Sequence, residues 1–349
     1  MLERFFALLG PDLAIDLGTA NTLVSVVGEG LVLNEPSIVA VEEGTQRIVS
    51  NGCAVGHLAK QIEGRTPQSI AVVRPMSGGV IADFELCEAM LRYFIRKAHR
   101  QGLRVKPRVL VAVPSCITPV EKRAVYNSTQ RAGARQVFVM PEAAAAAIGA
   151  GLPITEPVAS MICDIGGGTT EVAVLSLGEI VAKQSVRVAG DSMDQAIVQY
   201  VKRHYSLRIG TGAAERLRID IGSAYSLIDE MSDEVRGVDT ISGLPRRATI
   251  TSEEVREALA APLLQIVEAI RATLEACSTD LAADLVDNGM VLAGGGSLLR
   301  GLDRFLAEQT GLPTRVCDDP LTAVARGTAL CLEHFDRWRS VMQSSDEDV

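Results

Sequence analysis

Short apolar runs alternate along the chain with longer segments in which apolar residues recur at helical spacing. The short runs predict β-strands at residues 13–15, 22–27, 109–113, 161–164 and 171–175. The longer segments predict helices at residues 83–101, 120–132, 191–204, 252–276 and 298–310. Strands that alternate with helical segments are typical of an α/β fold.

Two of the predicted helices begin with capping signals. Asp83 stands at the start of the first helix, where an N-cap side chain accepts a backbone hydrogen bond. Thr251 and Glu254 have the spacing of a capping box before an apolar periodic stretch. Pro262 falls inside that stretch, and it predicts a bend in the helix rather than its end.

One pattern occurs twice: an apolar strand, an aspartate, a glycine-rich turn with threonine, and a second strand. Residues 14–22 read AIDLGTANT and are followed by the alternating run LVSV. Residues 162–170 read ICDIGGGTT and are followed by EVAV. Each copy predicts a β-hairpin with an aspartate at its tip. The repetition predicts two related lobes that face each other across a cleft.

These two hairpins have the chemistry of a magnesium–polyphosphate site. Glycine has no Cβ, so successive backbone N–H groups can approach an anion and form a concave nest around it. Asp16 and Asp164 predict Mg²⁺ binding, directly or through water, with Thr19, Asn21 and Thr169 as side-chain partners. One such turn alone is better explained as a tight hairpin without a ligand. The matching pair favours a clamp on a polyphosphate.

A third glycine cluster consists of Gly294, Gly295 and Gly296, after an apolar strand and before a predicted helix. Such a turn lets the backbone lie flat against a base or a phosphate. It is neither a Walker motif, since no Lys-Ser or Lys-Thr follows, nor the dinucleotide fingerprint G-x-G-x-x-G. The other interpretation of this glycine cluster is that it allows the strand and the helix to pack closely.

Composition excludes several classes of protein. Hydrophobic residues make up 47% and charged residues 22% of 349 residues, which is ordinary for a globular protein of two domains. The net charge of −9 and the aromatic content of 4% argue against nucleic acid as a partner. The 7 cysteines form no C-x-x-C pair. They predict six or seven buried free thiols in a reducing cytoplasm.

The N-terminus carries a short apolar segment. Leu2, Phe5, Phe6 and Leu9 fall on one helical face, and Gly10 and Pro11 end it. No signal peptide and no run long enough to span a bilayer is predicted. The segment is interpreted either as a short helix docked on the protein or as an interfacial membrane anchor. Two adjacent phenylalanines near the terminus favour the anchor slightly.

The three glycine motifs resemble a known set. DLGT at 16–19, DIGGGT at 164–169 and AGGG at 293–296 resemble the phosphate-1, phosphate-2 and adenosine motifs of the actin/Hsp70/sugar-kinase superfamily. Within it the chain is most similar to the MreB family of bacterial actin homologues. The similar segments are DLGTANTL at 16–23, LNEPS at 33–37, GVIADF at 79–84, DIGGGTTEVAV at 164–174 and DPLTAVARG at 319–327.

The resemblance covers residues 11–335 and implies an α/β, actin-like ATPase fold with two related lobes around a nucleotide cleft. Lobe I is expected at residues 1–150, completed by 320–349, with a small inserted subdomain at about 33–75. Lobe II is expected at residues 151–319, with a small inserted subdomain at about 190–248.

The resemblance also implies a mechanism, in which ATP binds with Mg²⁺ and is hydrolysed by water. Glu142 matches the catalytic acidic position, where a carboxylate orients the water and accepts its proton. Thr169 matches the threonine that helps to position this water. The nucleotide-binding residues implied are Asp16, Gly18, Thr19, Ala20, Asn21, Gly166, Gly167, Gly168, Glu215, Arg218, Gly294, Gly295 and Gly296. The other interpretation of Glu142 is an exposed first-turn acid that the helix dipole favours.

Departures from the family pattern bear on this mechanism. The family's Glu-Glu-Pro-Met is PEAA at residues 141–144, so the second acid remains and its acidic neighbour is lost. Hydrolysis is therefore expected to be slow. The family's Gly-Glu-x-Thr is GTGA at residues 210–213, which removes a carboxylate near the ribose. The choice between ATP and GTP stays open.

The function that the resemblance implies is assembly. The family polymerises with ATP into paired protofilaments, lies peripherally on the cytoplasmic face of the inner membrane, and works with cell-wall elongation membrane proteins to maintain rod shape. Leu103 and Val105 match a second apolar membrane loop, or an ordinary helix–strand connection. The alternatives are a hydrolysis-poor nucleotide-binding scaffold and a small-molecule kinase of the same fold. A kinase needs an aspartate base facing a sugar pocket, and no convincing candidate is present.

Overall fold

The computed structural model describes residues 11–45, 47–98 and 106–344. The strands are β1 (Leu13–Leu17), β2 (Asn21–Val26), β3 (Gly30–Pro36), β4 (Val39–Glu42), β5 (Ile70–Val73), β6 (Met76–Ser77), β7 (Val80–Ile81), β8 (Arg108–Val113), β9 (Gln136–Pro141), β10 (Ser160–Ile165), β11 (Thr170–Ser176), β12 (Glu179–Val186), β13 (Leu207–Arg208), β14 (Ser232–Asp239), β15 (Pro245–Thr251), β16 (Met290–Ala293), β17 (Thr314–Val316) and β18 (Gln343–Ser344). The α-helices are α1 (Val49–Gly52), α2 (His57–Ile62), α3 (Phe84–Ala98), α4 (Pro119–Ala132), α5 (Glu142–Gly149), α6 (Gly190–Tyr205), α7 (Thr211–Ile221), α8 (Ser252–Glu275), α9 (Thr279–Asn288), α10 (Leu302–Thr310), α11 (Ala323–Glu333) and α12 (Phe335–Trp338). Short 3-10 helices occupy Gly295–Leu298, Pro320–Thr322 and Arg339–Val341.

The described chain divides into two compact units. The first contains the described parts of residues 1–157, 175–180 and 321–349. The second contains residues 158–174 and 181–320. The two small inserted subdomains stay a prediction.

The first unit is built on a six-stranded sheet in the order β18-β9-β8-β1-β2-β3. The central strands β1, β8 and β9 are parallel, whereas β2, β3 and β18 pair antiparallel. Its core is apolar and includes the fully buried Leu13, Met90 and Phe94. Two small sheets, β4-β5 and β6-β7, complete this unit.

The second unit contains a five-stranded sheet in the order β12-β11-β10-β16-β17, in which β10, β16 and β17 are parallel. A separate antiparallel sheet consists of β13, β14 and β15. A second core fills this unit and includes Met161, Ile197 and Ile266.

The sequence patterns predicted most elements correctly. All five predicted strands form, and the capping box of Thr251 and Glu254 is present at the start of α8, which continues through Pro262. Asp83 accepts the Leu86 N–H at 3.0 Å before α3, as an N-cap should. The predicted helix at 298–310 is wrong in its first turn, because Gly301 adopts a left-handed conformation with φ 68° and α10 starts only at Leu302.

The thiol prediction is only partly confirmed. All seven cysteines are free, but four of them are buried, namely Cys87, Cys163, Cys317 and Cys331. Cys53 and Cys116 are exposed, since they lie after α1 and in the loop that follows β8, so the prediction of six or seven buried thiols is wrong. Burial raises the pKa of Cys87 to about 12, which leaves this thiol protonated at neutral pH. No described helix is long and apolar enough to cross a bilayer.

Helix α5 packs against α11 with almost no space between the two backbones. Residues 143–147 are all alanine and fully buried. A Cβ added at Gly149 would overlap the carbonyl oxygen of Ala323, and one added at Gly327 would overlap that of Ala145. Both helices therefore need small residues at the contact, which explains the alanine run in this helix.

Candidate functional site

A buried serine, Ser37, stabilises the turn of the first hairpin through hydrogen bonds. β1 and β2 pair as far as Leu17 and Thr22, which leaves residues 18–21 at the turn. The Ser37 hydroxyl donates to the Gly18 carbonyl at 2.6 Å, and the Ser37 N–H donates to the Ala20 carbonyl at 2.9 Å. A Cβ on Gly18 would lie 2.6 Å from the Asn21 carbonyl oxygen, so this position requires glycine. The shape of the turn is thus fixed before any ligand binds.

Thr19 is buried and already has a structural partner. Its Oγ1 accepts the N–H of Gly79, from the β6–β7 turn, at 2.9 Å. Asn21 is exposed and Ala20 is half-buried. Within the first unit, the predicted phosphate-binding residues therefore form one rigid turn, in which Thr19 ties the turn to the small β6–β7 sheet.

Asp16 lies at the end of β1, just before this turn. Burial raises the pKa of its carboxyl group from 3.8 to about 7. Asp16 is half-buried by accessible surface, and a carboxylate that has lost most of its water costs free energy unless a cation or hydrogen bonds compensate it. Asp16 therefore fits the role of a Mg²⁺ ligand, because a divalent cation would remove this cost and lower the pKa. No group of three or more metal-ligating side chains is found among the described residues, and Mg²⁺ needs only one or two carboxylates beside water and phosphate oxygens.

Glu142 is the first residue of α5 and follows directly on β9. Its exposed fraction is 8%, so the interpretation as an exposed first-turn acid is wrong. The close contact between α5 and α11 fixes the helix that carries Glu142. The backbone N–H groups of a helix N-terminus stabilise the ionised form of a carboxylate there.

The turn of the second hairpin is held by the start of α6. The Gly166 N–H donates to the Thr169 carbonyl at 2.9 Å and closes the turn. The N–H groups of Gly190 and Asp191 donate to the carbonyls of Gly166 and Gly167 at 3.2 and 2.7 Å. Thr169 is buried, and so is Asp164 at the end of β10. Gly168 lies in the same turn.

The third glycine cluster packs against the end of β10. A Cβ on Gly294 would overlap the Asp164 carboxylate and the Ile165 carbonyl, and one on Gly296 would overlap the Ile165 side chain. Close packing therefore accounts for these two glycines. It also places their backbone beside Asp164. Gly295 lies between them and is half-buried.

Arg218 forms a buried ion pair with Asp194. Its Nε and Nη2 lie 2.6 and 3.2 Å from the two Asp194 carboxylate oxygens. Burial raises the pKa of Asp194, and the hydrogen bond and charge of Arg218 act in the opposite direction. Glu215, one turn earlier on α7, is half-buried. The Arg218 guanidinium thus links α7 to α6.

Comparisons with known proteins identify the family and the fold of this chain. The sequence profile described as "MreB/Mbl protein" matches residues 10–340. The chain belongs to the MreB/Mbl family. The cell shape-determining protein MreB of Escherichia coli (strain K12) is 52% identical over 337 residues, which are 96% of this chain and 97% of the relative.

Solved structures place this MreB/Mbl chain in the actin-like ATPase fold. MreB5 of Spiroplasma citri bound to AMPPNP gives a TM-score of 0.89 at 36% identity, over 95% of this chain and 98% of MreB5. The same protein bound to ADP gives a TM-score of 0.88. A MamK double helical filament gives 0.78 at 22% identity over 92% and 99% of the two chains, which shows a shared fold. The family and fold indicated by the sequence motifs are confirmed.

Sequence reasoning missed the residues that hold the MreB/Mbl turns in place. Ser37 and Gly79 lie in the segments LNEPS and GVIADF, which resemble the family but contain no sequence signal for this role. Asp194 belongs to no motif. The only sequence signal for its role is its position one turn after the start of α6. The predicted membrane residues Leu2, Phe5, Phe6, Leu9, Leu103 and Val105 lie outside the described residues.

Replacing Arg218 with methionine is expected to destabilise this MreB/Mbl chain by about 3–5 kcal/mol at pH 8, because Asp194 would lose its buried partner. Without Arg218 the pKa of Asp194 would rise further above its unfolded value. When the pKa of an aspartate is higher in the folded than in the unfolded state, the free energy of unfolding of the protein falls as the pH rises above about 4. The loss should therefore be smaller at pH 5 than at pH 8 in urea unfolding. Arg216→Met, on the exposed side of the same helix, is the matched control. Equal losses in both variants would contradict the assignment.

Proposed function

We propose that this chain is an ATP-dependent, filament-forming bacterial actin that lies on the inner membrane face and organises cell-wall synthesis and rod shape. The observation that carries the proposal is the 52% identity to a cell shape-determining MreB across 96% of this chain. The same fold assembles into a double helical filament in MamK. Self-assembly is thus the activity to test first.

The nucleotide in this proposal is ATP with Mg²⁺. MreB5, at 36% identity, binds AMPPNP and ADP in its solved structures. The backbone N–H groups of the turns at residues 18–21 and 166–169 would bind phosphate oxygens. Asp16 and Asp164 would hold Mg²⁺, partly through water, and the metal would neutralise phosphate charge. Glu215, Arg218 and the glycines at 294–296 are proposed to contact the nucleoside.

Hydrolysis would use Glu142 and Thr169. A buried carboxylate at a fixed helix start can orient a water and accept its proton, and the Thr169 hydroxyl can hold the same water. Catalysis of phosphoryl transfer is mostly positioning and charge neutralisation, so these few groups are enough. Pro141 replaces the neighbouring acid of the family pattern, and slow hydrolysis is expected for that reason.

Replacing Asp16 with asparagine is expected to stabilise the nucleotide-free protein while it weakens Mg-ATP binding. The folded-state pKa of Asp16, about 7, lies above the unfolded value. Ionisation of Asp16 therefore lowers the free energy of unfolding as the pH rises from about 4 to 7. Because Asp16 is only half-buried, the asparagine variant should gain on the order of 2 kcal/mol at pH 8, about half of what the full pKa difference implies, and little at pH 4. Urea unfolding without nucleotide, together with Mg-ATP titration, measures both effects. If the wild type and the asparagine variant are equally stable at pH 8, the ionised form of Asp16 does not destabilise the folded chain.

Electron microscopy of the purified chain on an anionic lipid layer, with and without Mg-ATP, tests the proposed function. Filaments that form only with nucleotide are expected. A chain that binds ATP and stays monomeric at every concentration would contradict the filament proposal. The scaffold alternative, which the lost acid at Pro141 favours, predicts ATP binding without assembly and without phosphate release.

Removing residues 2–9 is expected to reduce binding to anionic liposomes by at least about tenfold. Two phenylalanines and two leucines on one helical face supply the apolar area for an interfacial anchor. Co-sedimentation of the filaments with liposomes measures the effect, because assembly multiplies a weak anchor by avidity. Pelleting without lipid is the control for assembly. Unchanged liposome binding would favour the docked-helix interpretation.

A further inference from the structure

The turn between β1 and β2, here named the first phosphate turn, has two carbonyl groups that bind the same residue. The Ser37 hydroxyl donates to the Gly18 carbonyl, and the Ser37 N–H donates to the Ala20 carbonyl. In a planar trans peptide, the carbonyl and the N–H of the following residue point in opposite directions. The N–H groups of Thr19 and Asn21 are therefore directed away from Ser37, so one residue sets the orientation of two backbone donors.

The turn between β10 and β11 has the same arrangement with a different donor. The first two N–H groups of α6 donate to the carbonyls of Gly166 and Gly167 at 3.2 and 2.7 Å. The N–H groups of Gly167 and Gly168 are consequently directed away from α6. Two turns in different units thus have their carbonyls bound on one side, once by a serine and once by a helix. This repetition indicates that the direction of the N–H groups matters for function.

The hydroxyl proton of Ser37 is committed to the first phosphate turn. Ser37 and Thr22 are both 0% exposed, and their hydroxyl oxygens lie 2.9 Å apart. A serine hydroxyl has one proton, and Ser37 donates it to Gly18, so the Thr22 hydroxyl is the donor in this pair. Thr22 therefore supports Ser37 but does not contact the turn carbonyl itself.

Glu35 fixes the backbone that carries Ser37. Its side chain is 6% exposed, its Oε2 accepts the His57 N–H at 2.8 Å, and its Oε1 lies 2.5 Å from the Lys97 Nζ. These contacts anchor β3 to the start of α2 and to α3. Pro36, between Glu35 and Ser37, has a φ fixed by its ring. The position of Ser37 thus depends on an anchor two residues earlier.

We propose that Ser37 is a positioning residue for phosphate binding and that Glu35 acts through it. With its carbonyls bound to Ser37, the first phosphate turn presents its N–H donors to phosphate oxygens without rearrangement, so binding avoids the cost of ordering the loop. Without the Ser37 hydroxyl, the Gly18 carbonyl loses its donor and the Thr19 N–H loses its fixed direction. The inference rests on the proposed ATP site, and it assigns part of the affinity to residues outside the glycine motifs.

Ser37→Ala is expected to raise the Kd for Mg-ADP about tenfold, because the loss of one well-oriented hydrogen bond has this magnitude. Titration calorimetry measures the Kd. The KM for Mg-ATP should rise by a similar factor while kcat stays within about twofold, since the turn binds phosphate in the ground state and in the transition state alike. A lower kcat at unchanged KM would contradict a role in binding.

Thr22→Val is the matched control, because it removes the other buried hydroxyl and leaves the hydrogen bond from Ser37 to Gly18. Thermal unfolding should show similar losses in both variants, whereas the control should keep its Kd within about twofold of wild type. Equal changes of Kd in both variants overturn the proposal, because they indicate a purely structural role. Ser37→Cys fills the same space and donates only weakly, so it serves if the alanine variant unfolds. A wild-type Kd in that variant also overturns the proposal.

Glu35→Ala tests whether Glu35 acts through Ser37. It should raise the Kd for Mg-ADP at least about threefold, because β3 loses its anchor to α2 and α3. Glu88→Ala is the control, since Glu88 is a half-buried glutamate that pairs with Arg92 within α3. The double variant Glu35→Ala/Ser37→Ala should bind Mg-ADP no more weakly than Ser37→Ala alone. Additive losses would show that Glu35 acts independently, which overturns that part of the proposal.

The proposed function and the role of Ser37 fail differently. A wild-type chain that binds no Mg-ADP contradicts the proposed nucleotide site itself. A wild-type chain that binds Mg-ADP, beside a Ser37→Ala variant that is folded and binds it equally well, contradicts only the role of Ser37.

Discussion

Glu142→Gln is expected to lower the rate of phosphate release by at least about 100-fold while ATP binding stays within about twofold of wild type. The amide keeps the size and the hydrogen-bonding shape of the side chain and removes the proton acceptor, and general-base catalysis contributes about 10²–10⁴ in rate. Glu142 is buried at the start of a helix that packs tightly, so the substitution should not move α5. Single-turnover phosphate release with Mg-ATP, measured beside nucleotide titration, separates chemistry from binding.

The control for this substitution is Glu268→Gln, on an exposed position of α8. It should leave both quantities unchanged. If Glu142→Gln releases phosphate at the wild-type rate, the catalytic assignment is wrong. If it loses binding and hydrolysis together, Glu142 supports the nucleotide site rather than the attacking water.

Gly327→Val is expected to destabilise the first unit by at least about 3 kcal/mol, because the added side chain would overlap the Ala145 carbonyl across the α5–α11 contact. A backbone carbonyl in a packed helix cannot rotate away as a side chain can. The helices must separate, and the separation exposes the buried alanines of α5. Thermal and urea unfolding measure the loss.

The matched control is Gly212→Ala, in α7, where a Cβ would meet open space. It should be neutral or stabilising by up to about 1 kcal/mol, since alanine favours helix over glycine. Gly327→Val should also slow phosphate release, because Glu142 starts the helix that moves. Wild-type stability in Gly327→Val would show that the close contact is not maintained in solution.

The sequence predicted those features that local patterns specify. Both hairpins, the capping box of Thr251 and Glu254, and the N-cap at Asp83 depend on residues within a few positions of each other. The family followed from three glycine motifs that keep their order along the chain. Each of these signals is short and needs no knowledge of the tertiary structure.

Features that depend on distant partners were not predictable in this way. The close packing of α5, which Glu142 begins, depends on α11, some 180 residues later in the chain. Ser37 supports a turn 17 residues before it, and nothing beside it in sequence marks that role. The break before α10 lies at Gly301, which is left-handed, and a Cβ at that position would lie 2.7 Å from the Cβ of the distant Tyr225. A periodic apolar pattern cannot reveal such a contact.

The first unit is discontinuous in sequence, and this fact sets an order of events during synthesis. α11, which covers the alanine face of α5, and β18, which pairs with β9, are both made at the end of the chain. The whole second unit leaves the ribosome before them. At about 5–20 residues per second, synthesis of the second unit takes on the order of 10–30 seconds, and the first unit lacks its last elements until then. During that interval the alanine helix and one edge of the central sheet are open to chaperones and to other nascent chains.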